Sequence, residues 1–340
     1  MHHGGNDMTI KSTFKTWATV SAVAIMAVTA SGVTASAETT LRLITGWPST
    51  SFFNVPLRQF VDEVNERGDG LVQIRIVGGP EVTPLSEQIG SLDLGVNDMW
   101  YGTISAFQQR IPEARALVLS DYTAGELRER GSLDVLRPFF DKIGLHFLGY
   151  FGSGYTFYVY LNEEPVRTDA GGVDLTGKRI RAPFLWHPVM EHVNATPINV
   201  EVAELYEALS RGRVDGFGWL DIGLTDFSWQ DHTGYRITPN FWQGDVSVLV
   251  SKEAWNKLEP EAQELLTEIA IDYELVAHDY MIGLQETETK ALYDAGMKDV
   301  ELVGNAAAAY LASANDALWD LIEEASGPEV RKTLEAEFTR

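Results

Sequence analysis

The segment Lys178-Arg179-Ile180-Arg181-Ala182-Pro183 carries the clearest chemistry in the chain. Basic and apolar residues alternate there. On a strand, that alternation puts Arg179 and Arg181 on one face and Ile180 on the other. Pro183 ends the strand, and Phe184 and Trp186 follow. An arginine at a strand end beside aromatic rings suits a carboxylate: its planar fork binds two oxygens at once and stays charged when desolvated. A surface arginine or an inter-lobe salt bridge fits the same pattern. The second segment is Val214-Asp215-Gly216-Phe217-Gly218-Trp219. Gly218 lets another group approach closely, and Trp219 falls at the carboxyl end of the strand. A core tryptophan is the competing reading.

Other chemistries find no pattern. The chain has no phosphate-binding loop, no Gly-x-Ser-x-Gly elbow and no His-Glu-x-x-His. It has no cysteine, which excludes disulfides and thiolate metal sites. His187 and His192 are five residues apart, a poor match to the spacing of three or four that puts two ligands on one helical face. His146, His232 and His278 stand alone. A hydrolase or lyase using paired carboxylates is the alternative from another class, since an acidic chain places such pairs by chance.

The elements that must position Arg181 and Trp219 follow from periodicity. Thr39–Thr45 reads as a strand ending in Gly46-Trp47-Pro48. Phe53–Glu66 reads as a helix with Leu57, Phe60, Val61 and Val64 on one face. Strand Leu71–Val77, helix Val82–Leu92 and strand Gly95–Tyr101 complete an α/β set. In such sheets ligands sit beyond the carboxyl ends of the strands, where Trp47, Trp100 and Tyr101 fall. A second set comprises strands Leu145–Tyr150, Tyr155–Leu161, Lys178–Ala182, Thr196–Val200 and Val214–Trp219, with helices His187–Val193 and Val202–Ser210. Asp245–Val250 reads as a further strand. From Pro260 to about Met297, Leu265, Ile269, Tyr273, Val276, Tyr280 and Leu284 recur at helical spacing. A helix of that length reaches about 55 Å at 1.5 Å per residue, so it must span two lobes. Ala306–Leu321 supplies a last helix.

The N-terminus reads as an export leader. Met8 is taken as the start, with Lys11 and Lys15, an apolar run from Trp17 to Thr29, and the small-x-small site Ala35-Ser36-Ala37. Cleavage near Ala37 makes the mature protein periplasmic. No later run reaches 18 apolar residues, so the mature chain is expected to be soluble. Residues 1–37 hold two lysines and one aspartate, so their removal takes the formal charge from −23 to −24. Such acidity repels nucleic acid and anionic lipid. An anionic ligand then needs a local cation, and screening beyond about 10 Å lets one buried arginine serve.

With this leader and the long helix, the order of motifs resembles the DctP-like solute-binding proteins of tripartite ATP-independent periplasmic (TRAP) transporters. The matching pieces are Ile180-Arg181-Ala182-Pro183, then Pro197, then Glu204-Leu205-Tyr206, then Val214-Asp215-Gly216. Earlier, Leu92-Asp93-Leu94-Gly95-Val96-Asn97-Asp98-Met99 matches the family's Leu-x-x-Gly-x-x-Asp-Met. The resemblance covers nearly the whole mature chain. It implies a two-lobed α/β venus-flytrap receptor without enzymatic activity, a monomer that closes on an organic acid and docks on a membrane permease. One lobe is expected from 38–160 plus about 247–287, the other from 161–246 plus about 288–340. The resemblance also implies that Arg181 pairs with the ligand carboxylate.

Departures from the family narrow the ligand. Phe217-Gly218-Trp219 replaces the common Gln-Glu-Asn, and a tryptophan here resembles the keto-acid-binding branch. Gly218 stands where that branch has an acidic residue, with Asp221 the nearest replacement as a metal ligand. Phe184 replaces the polar residue of sialic-acid-type relatives, and their second arginine is replaced near Thr156. A single clamp with many aromatics fits a monocarboxylate with an apolar or aromatic body, walled by Trp47, Trp100, Tyr101, Phe184, Phe217 and Trp219. The alternative is an aliphatic 2-oxo or 2-hydroxy acid held with a metal ion at Asp221; otherwise no cofactor is expected. A role as the ligand-sensing partner of a signalling receptor has the same sequence pattern.

Overall fold

A computed structural model describes residues 38–340 of the chain. The expected leader, 1–37 with cleavage near Ala37, lies outside the described residues. The first part runs β1 Thr39–Thr45, α1 Asn54–Arg67, β2 Val72–Gly78, α2 Leu85–Asp93, β3 Met99–Thr103, α3 Arg115–Val118, α4 Ala124–Arg130, α5 Ser132–Lys142 and β4 Leu145–Tyr150. The middle runs β5 Thr156–Leu161, β6 Val166–Arg167, β7 Val173–Asp174, β8 Arg179–Arg181, α6 His187–His192, β9 Thr196–Ile198, α7 Leu205–Ser210, β10 Gly216–Leu220 and β11 Tyr235–Gln243. The last part is β12 Val246–Ser251, α8 Lys252–Lys257, α9 Pro260–Asp294, β13 Lys298–Glu301, α10 Gly304–Ser326 and α11 Pro328–Phe338.

Two sheets organise these elements. The first has the order β2-β1-β3-β12-β4, with β1 parallel to β2 and β3, and β12 antiparallel to both its neighbours. The second has the order β13-β11-β5-β10-β8-β9. Both faces of each sheet are covered, which is why their strands are apolar on both sides. In β1, Leu41 and Leu43 face one core with α1 and α9, while Ile44 faces the other with α2 and α5. Across the second sheet, Ile180 and Val159 face α6 and α10, and Tyr160 and Phe217 face α7. The fold is α/β in two such sheet units. Among the described residues no helix is long and apolar enough to cross a membrane.

The chain leaves the first sheet between Tyr150 and Thr156 and returns between Gln243 and Val246. These crossings run side by side. Phe151 N–H donates to Val246 O at 2.8 Å, and the Tyr150 hydroxyl donates to Gly244 O at 2.6 Å. A Cβ on Gly152 would sit 2.7 Å from the Gly244 carbonyl, so this approach requires glycine. Strand β5, placed in the first lobe by the sequence reading, pairs within the second sheet. Helix α11, placed in the second, packs Leu334 and Phe338 into the first sheet's core.

Helix α9 has 35 residues, about 52 Å at 1.5 Å per residue. It begins among the first sheet's core residues and ends with Leu292 in the second's. Two buried glutamates fix it. Glu274 accepts from Tyr150 N–H at 2.9 Å and pairs with Arg128, while Glu288 accepts from Thr225 N–H at 2.8 Å and Thr225 Oγ1 at 2.6 Å. Its buried stripe is Ala262, Leu266, Ile269, Ala270, Glu274, Ala277 and Met281, whereas Val276, expected inside, is exposed. A hydrophobic pattern skips alanines and glutamates, which displaced the expected face.

Candidate functional site

The carboxyl ends of β1, β3, β8 and β10 gather with the two crossing segments, where the sheets approach each other. The turn after β1 is fixed by Asn54 at the start of α1. The Asn54 amide donates to Pro48 O at 2.8 Å, and its Oδ1 accepts from Thr45 Oγ1 at 2.7 Å. This holds Trp47 stacked on Phe53 at 4.4 Å between ring centroids, with Tyr101 edge-on at 5.6 Å. The Tyr101 hydroxyl donates to Phe53 O at 2.8 Å. Phe53 in turn meets the Tyr155 ring edge-on at 5.6 Å. Phe52 reaches the loop after β10: a Cβ on Gly223 would sit 3.4 Å from its ring. Leu220 and Ile222, from that side, share a core with Phe53 and Tyr101.

Arg181 ends β8. Only 9 % of it is exposed. Strand pairing puts it beside Phe217, with Arg179 two residues earlier bound to Asp215. Arg181 Nε donates to Val200 O at 3.1 Å and Nη1 to Gly218 O at 3.4 Å. Its Cζ lies 5.5 Å from the Trp219 ring centroid, a cation–π distance. Among the described residues it has no carboxylate within salt-bridge distance, whereas Arg236, equally buried, is bound by Asp299. Burial draws the Arg181 guanidinium down from its ordinary pKa, and Glu201 opposes this. Arg115, the third buried arginine, belongs to α3, whose neighbours pack in the other core of the first sheet. A guanidinium needs charge-assisted partners, and Arg181 has two carbonyls only. Its remaining N–H groups suit an anion.

Asp221, just past β10, is 2 % exposed. Its oxygens accept from Thr156 N–H at 3.1 Å and Thr156 Oγ1 at 2.9 Å. Burial pushes its carboxyl up to about 6, against those hydrogen bonds. Among the described residues no group of three or more His, Asp or Glu side chains could hold a metal ion. Each Asp221 oxygen accepts one hydrogen bond from Thr156, which leaves each a further lone pair.

The structure brings Arg181 and Trp219 together, and Trp47 and Tyr101 together. Phe217 is the strand partner of Arg181 but is fully buried, and Trp100 and Phe184 lie apart from these groups. Trp100 points to the opposite face of β3 from Tyr101, sealed in the far core with its indole N–H on Gln88 Oε1 at 2.8 Å. Phe217 is sealed beneath Tyr160, stacked at 5.2 Å. Phe184 is 77 % exposed beside His187, in a groove between α6 and α10. Sequence reasoning passed over Phe52, Phe53 and Tyr155. The run Phe151-Gly152-Ser153-Gly154-Tyr155, glycine-rich between two strands, is the signal that marks the crossing segment.

The family model for DctP, bacterial extracellular solute-binding protein family 7, matches residues 45–325. A monocarboxylate 2-oxoacid-binding periplasmic protein of Nostoc is 30% identical over 113 residues, covering 30% of this chain and 29% of that protein's length. Solved structures share the fold at low identity. A TRAP periplasmic solute-binding protein from Desulfovibrio salexigens superposes with TM-score 0.75 at 19% identity, covering 88% of this chain and 96% of that one. The Bordetella pertussis receptor DctP7, binding pyroglutamic acid, gives TM-score 0.71 at 18% identity, over 88% and 99%. A marine metagenome TRAP solute-binding protein specific for aromatic acid ligands gives 0.69 at 19%, over 88% and 98%. The match to the family model along most of the chain, on the two-sheet fold described above, makes this chain a member of the DctP family, bacterial extracellular solute-binding protein family 7.

Proposed function

We propose that the chain is the periplasmic receptor of a TRAP transporter and captures a small monocarboxylate with an apolar or aromatic body. Arg181 binds the carboxylate, Trp219 flanks it, and Trp47, backed by the buried Tyr101, supplies apolar wall from the facing sheet. The two sheet units act as lobes that close about the crossings at 151–155 and 244–245. The closed monomer delivers its acid to the membrane permease without chemical change. The observation that carries this reading is Arg181 itself, a buried guanidinium over an indole with carbonyls as its hydrogen-bond acceptors. Structural relatives that bind pyroglutamic acid and aromatic acids support an acid ligand.

The Nostoc relative, a monocarboxylate 2-oxoacid binder, favours a second reading in which the body is an aliphatic 2-oxo acid. A thermal-shift screen of the purified protein against aromatic and aliphatic monocarboxylates, with and without chelator, tests both. A ligand at 100 times its Kd stabilises by about 2.7 kcal/mol. Shifts with aromatic monocarboxylates, unaffected by chelator, are expected. Shifts confined to 2-oxo acids favour the second reading. No shift with any acid, from protein stripped of bound ligand, refutes both.

A further inference from the structure

Three tyrosines stand around the crossing segments, and one of them is unlike the others. Tyr101 and Tyr150 give their hydroxyls to backbone carbonyls, of Phe53 at 2.8 Å and of Gly244 at 2.6 Å. Tyr155 is 4 % exposed, with its ring set edge-on against Phe53 at 5.6 Å and Phe157 at 6.0 Å. Its phenol lies over Gly244, where a Cβ would overlap it. Among the described residues its hydroxyl has no hydrogen-bond partner, yet it is not among the polar atoms sealed without one. A buried phenol ordinarily finds a partner. The nearby carboxylates do not serve: Asp221 is engaged by Thr156, and Asp245 by Thr103 and by Ser105 N–H at 2.6 Å.

We propose that the Tyr155 hydroxyl is the second polar contact of the ligand, so that the preferred acids carry a hydroxyl or oxo oxygen on the body, remote from the carboxylate. The inference rests on Arg181 as the carboxylate anchor. Trp219, beneath that anchor, opposes Tyr158 on β5. Tyr155 lies three residues further on, roughly 10 Å at about 3.3 Å per residue. The Phe53 ring that Tyr155 meets stacks in turn on Trp47, the wall proposed opposite the anchor, and a ring-hydroxylated arylalkanoate is the acid that would meet both. The fields of Asp221 and Asp245 reach the Tyr155 phenol. They disfavour a second carboxylate there and leave a neutral oxygen as the group that fits.

The test compares 3- and 4-hydroxyphenylacetate with phenylacetate, and 5-hydroxypentanoate with pentanoate, by titration calorimetry. Wild type is expected to prefer a hydroxylated acid over its unsubstituted partner. Tyr155→Phe, which keeps the ring, should remove that preference, weakening the hydroxylated acid about 5- to 100-fold and leaving the unsubstituted one within about twofold. Wild type that binds these acids without preference, or Tyr155→Phe that retains it, overturns this inference alone. Wild type that binds none of them, while other monocarboxylates shift its melting, also overturns it. Binding of no monocarboxylate at all overturns the parent reading with it.

Discussion

Replacing Arg181 with methionine separates a ligand anchor from a structural arginine, because the two roles move stability and affinity in different directions. In the free protein the guanidinium is buried against two carbonyls, at 3.1 and 3.4 Å, and an indole at 5.5 Å. Burying an ion costs several kcal/mol after relaxation, and two neutral acceptors with one cation–π contact offset only part of it. Methionine keeps an unbranched apolar stem. The free variant is therefore expected to match wild-type stability within about 1 kcal/mol or to exceed it. Binding moves the other way. Truncating one partner of a desolvated charge pair costs about 2–5 kcal/mol, roughly 30- to 4000-fold in Kd. Arg181→Lys keeps the charge but loses the fork, and should fall between. The assay is denaturant unfolding of the ligand-free proteins together with titration of an acid that binds wild type. An affinity loss below about threefold refutes the anchor. So does a free variant destabilised by more than about 2 kcal/mol with affinity unchanged, since Arg181 would then be a packing residue.

Gly244→Ala drives a Cβ into the Tyr155 phenol. It should destabilise by about 1–3 kcal/mol as an overpacked site. Combining it with Tyr155→Ala should recover part of that cost, and additive losses in urea unfolding would count against the contact. Asp221 makes a pH prediction. Its folded-state pKa of about 6 lies above the ordinary 3.8. The native state therefore holds the proton to higher pH, and stability falls as pH rises through that window, by about 3 kcal/mol at 1.36 kcal/mol per unit. In Asp221→Asn the slope is absent. The wild-type-minus-variant difference should decline from pH 4 to 6 and be flat at pH 7 to 8, and a flat difference throughout refutes the assignment.

Much of the fold was legible. Thr39–Thr45 and Leu145–Tyr150 were legible as short runs whose side chains are mostly buried, and Arg179–Arg181 as an alternation of basic and apolar residues. The face of α1 was read from Leu57, Phe60, Val61 and Val64, all of them buried. Strand β11 was not legible. It lies between β5 and β13, but Pro239 falls where its pairing skips from Ile237 to Phe241, and a proline in a run argues against an interior strand. The short helices α3 and α4 lack the length for a period to register.

The candidate site divides along the same line. Residue type and spacing alone put Arg181 at a strand end and Trp219 at another, because a period of two and a following proline are local properties. The sequence reading takes both Trp100 and Tyr101 as pocket wall, although neighbours on a strand point to opposite faces. Which face meets the second sheet was decided by packing. Tyr101 turns toward Phe53 and the crossing segments, while Trp100 turns toward Gln88 and the far core. The same holds for Tyr155, whose position depends on two crossings, joined by contacts such as Tyr150–Gly244 between residues 94 apart, lying side by side at roughly one strand spacing. Local periodicity determines what a segment becomes. Only tertiary contact determines which of its side chains is left without a partner, and that decides where a ligand can bind.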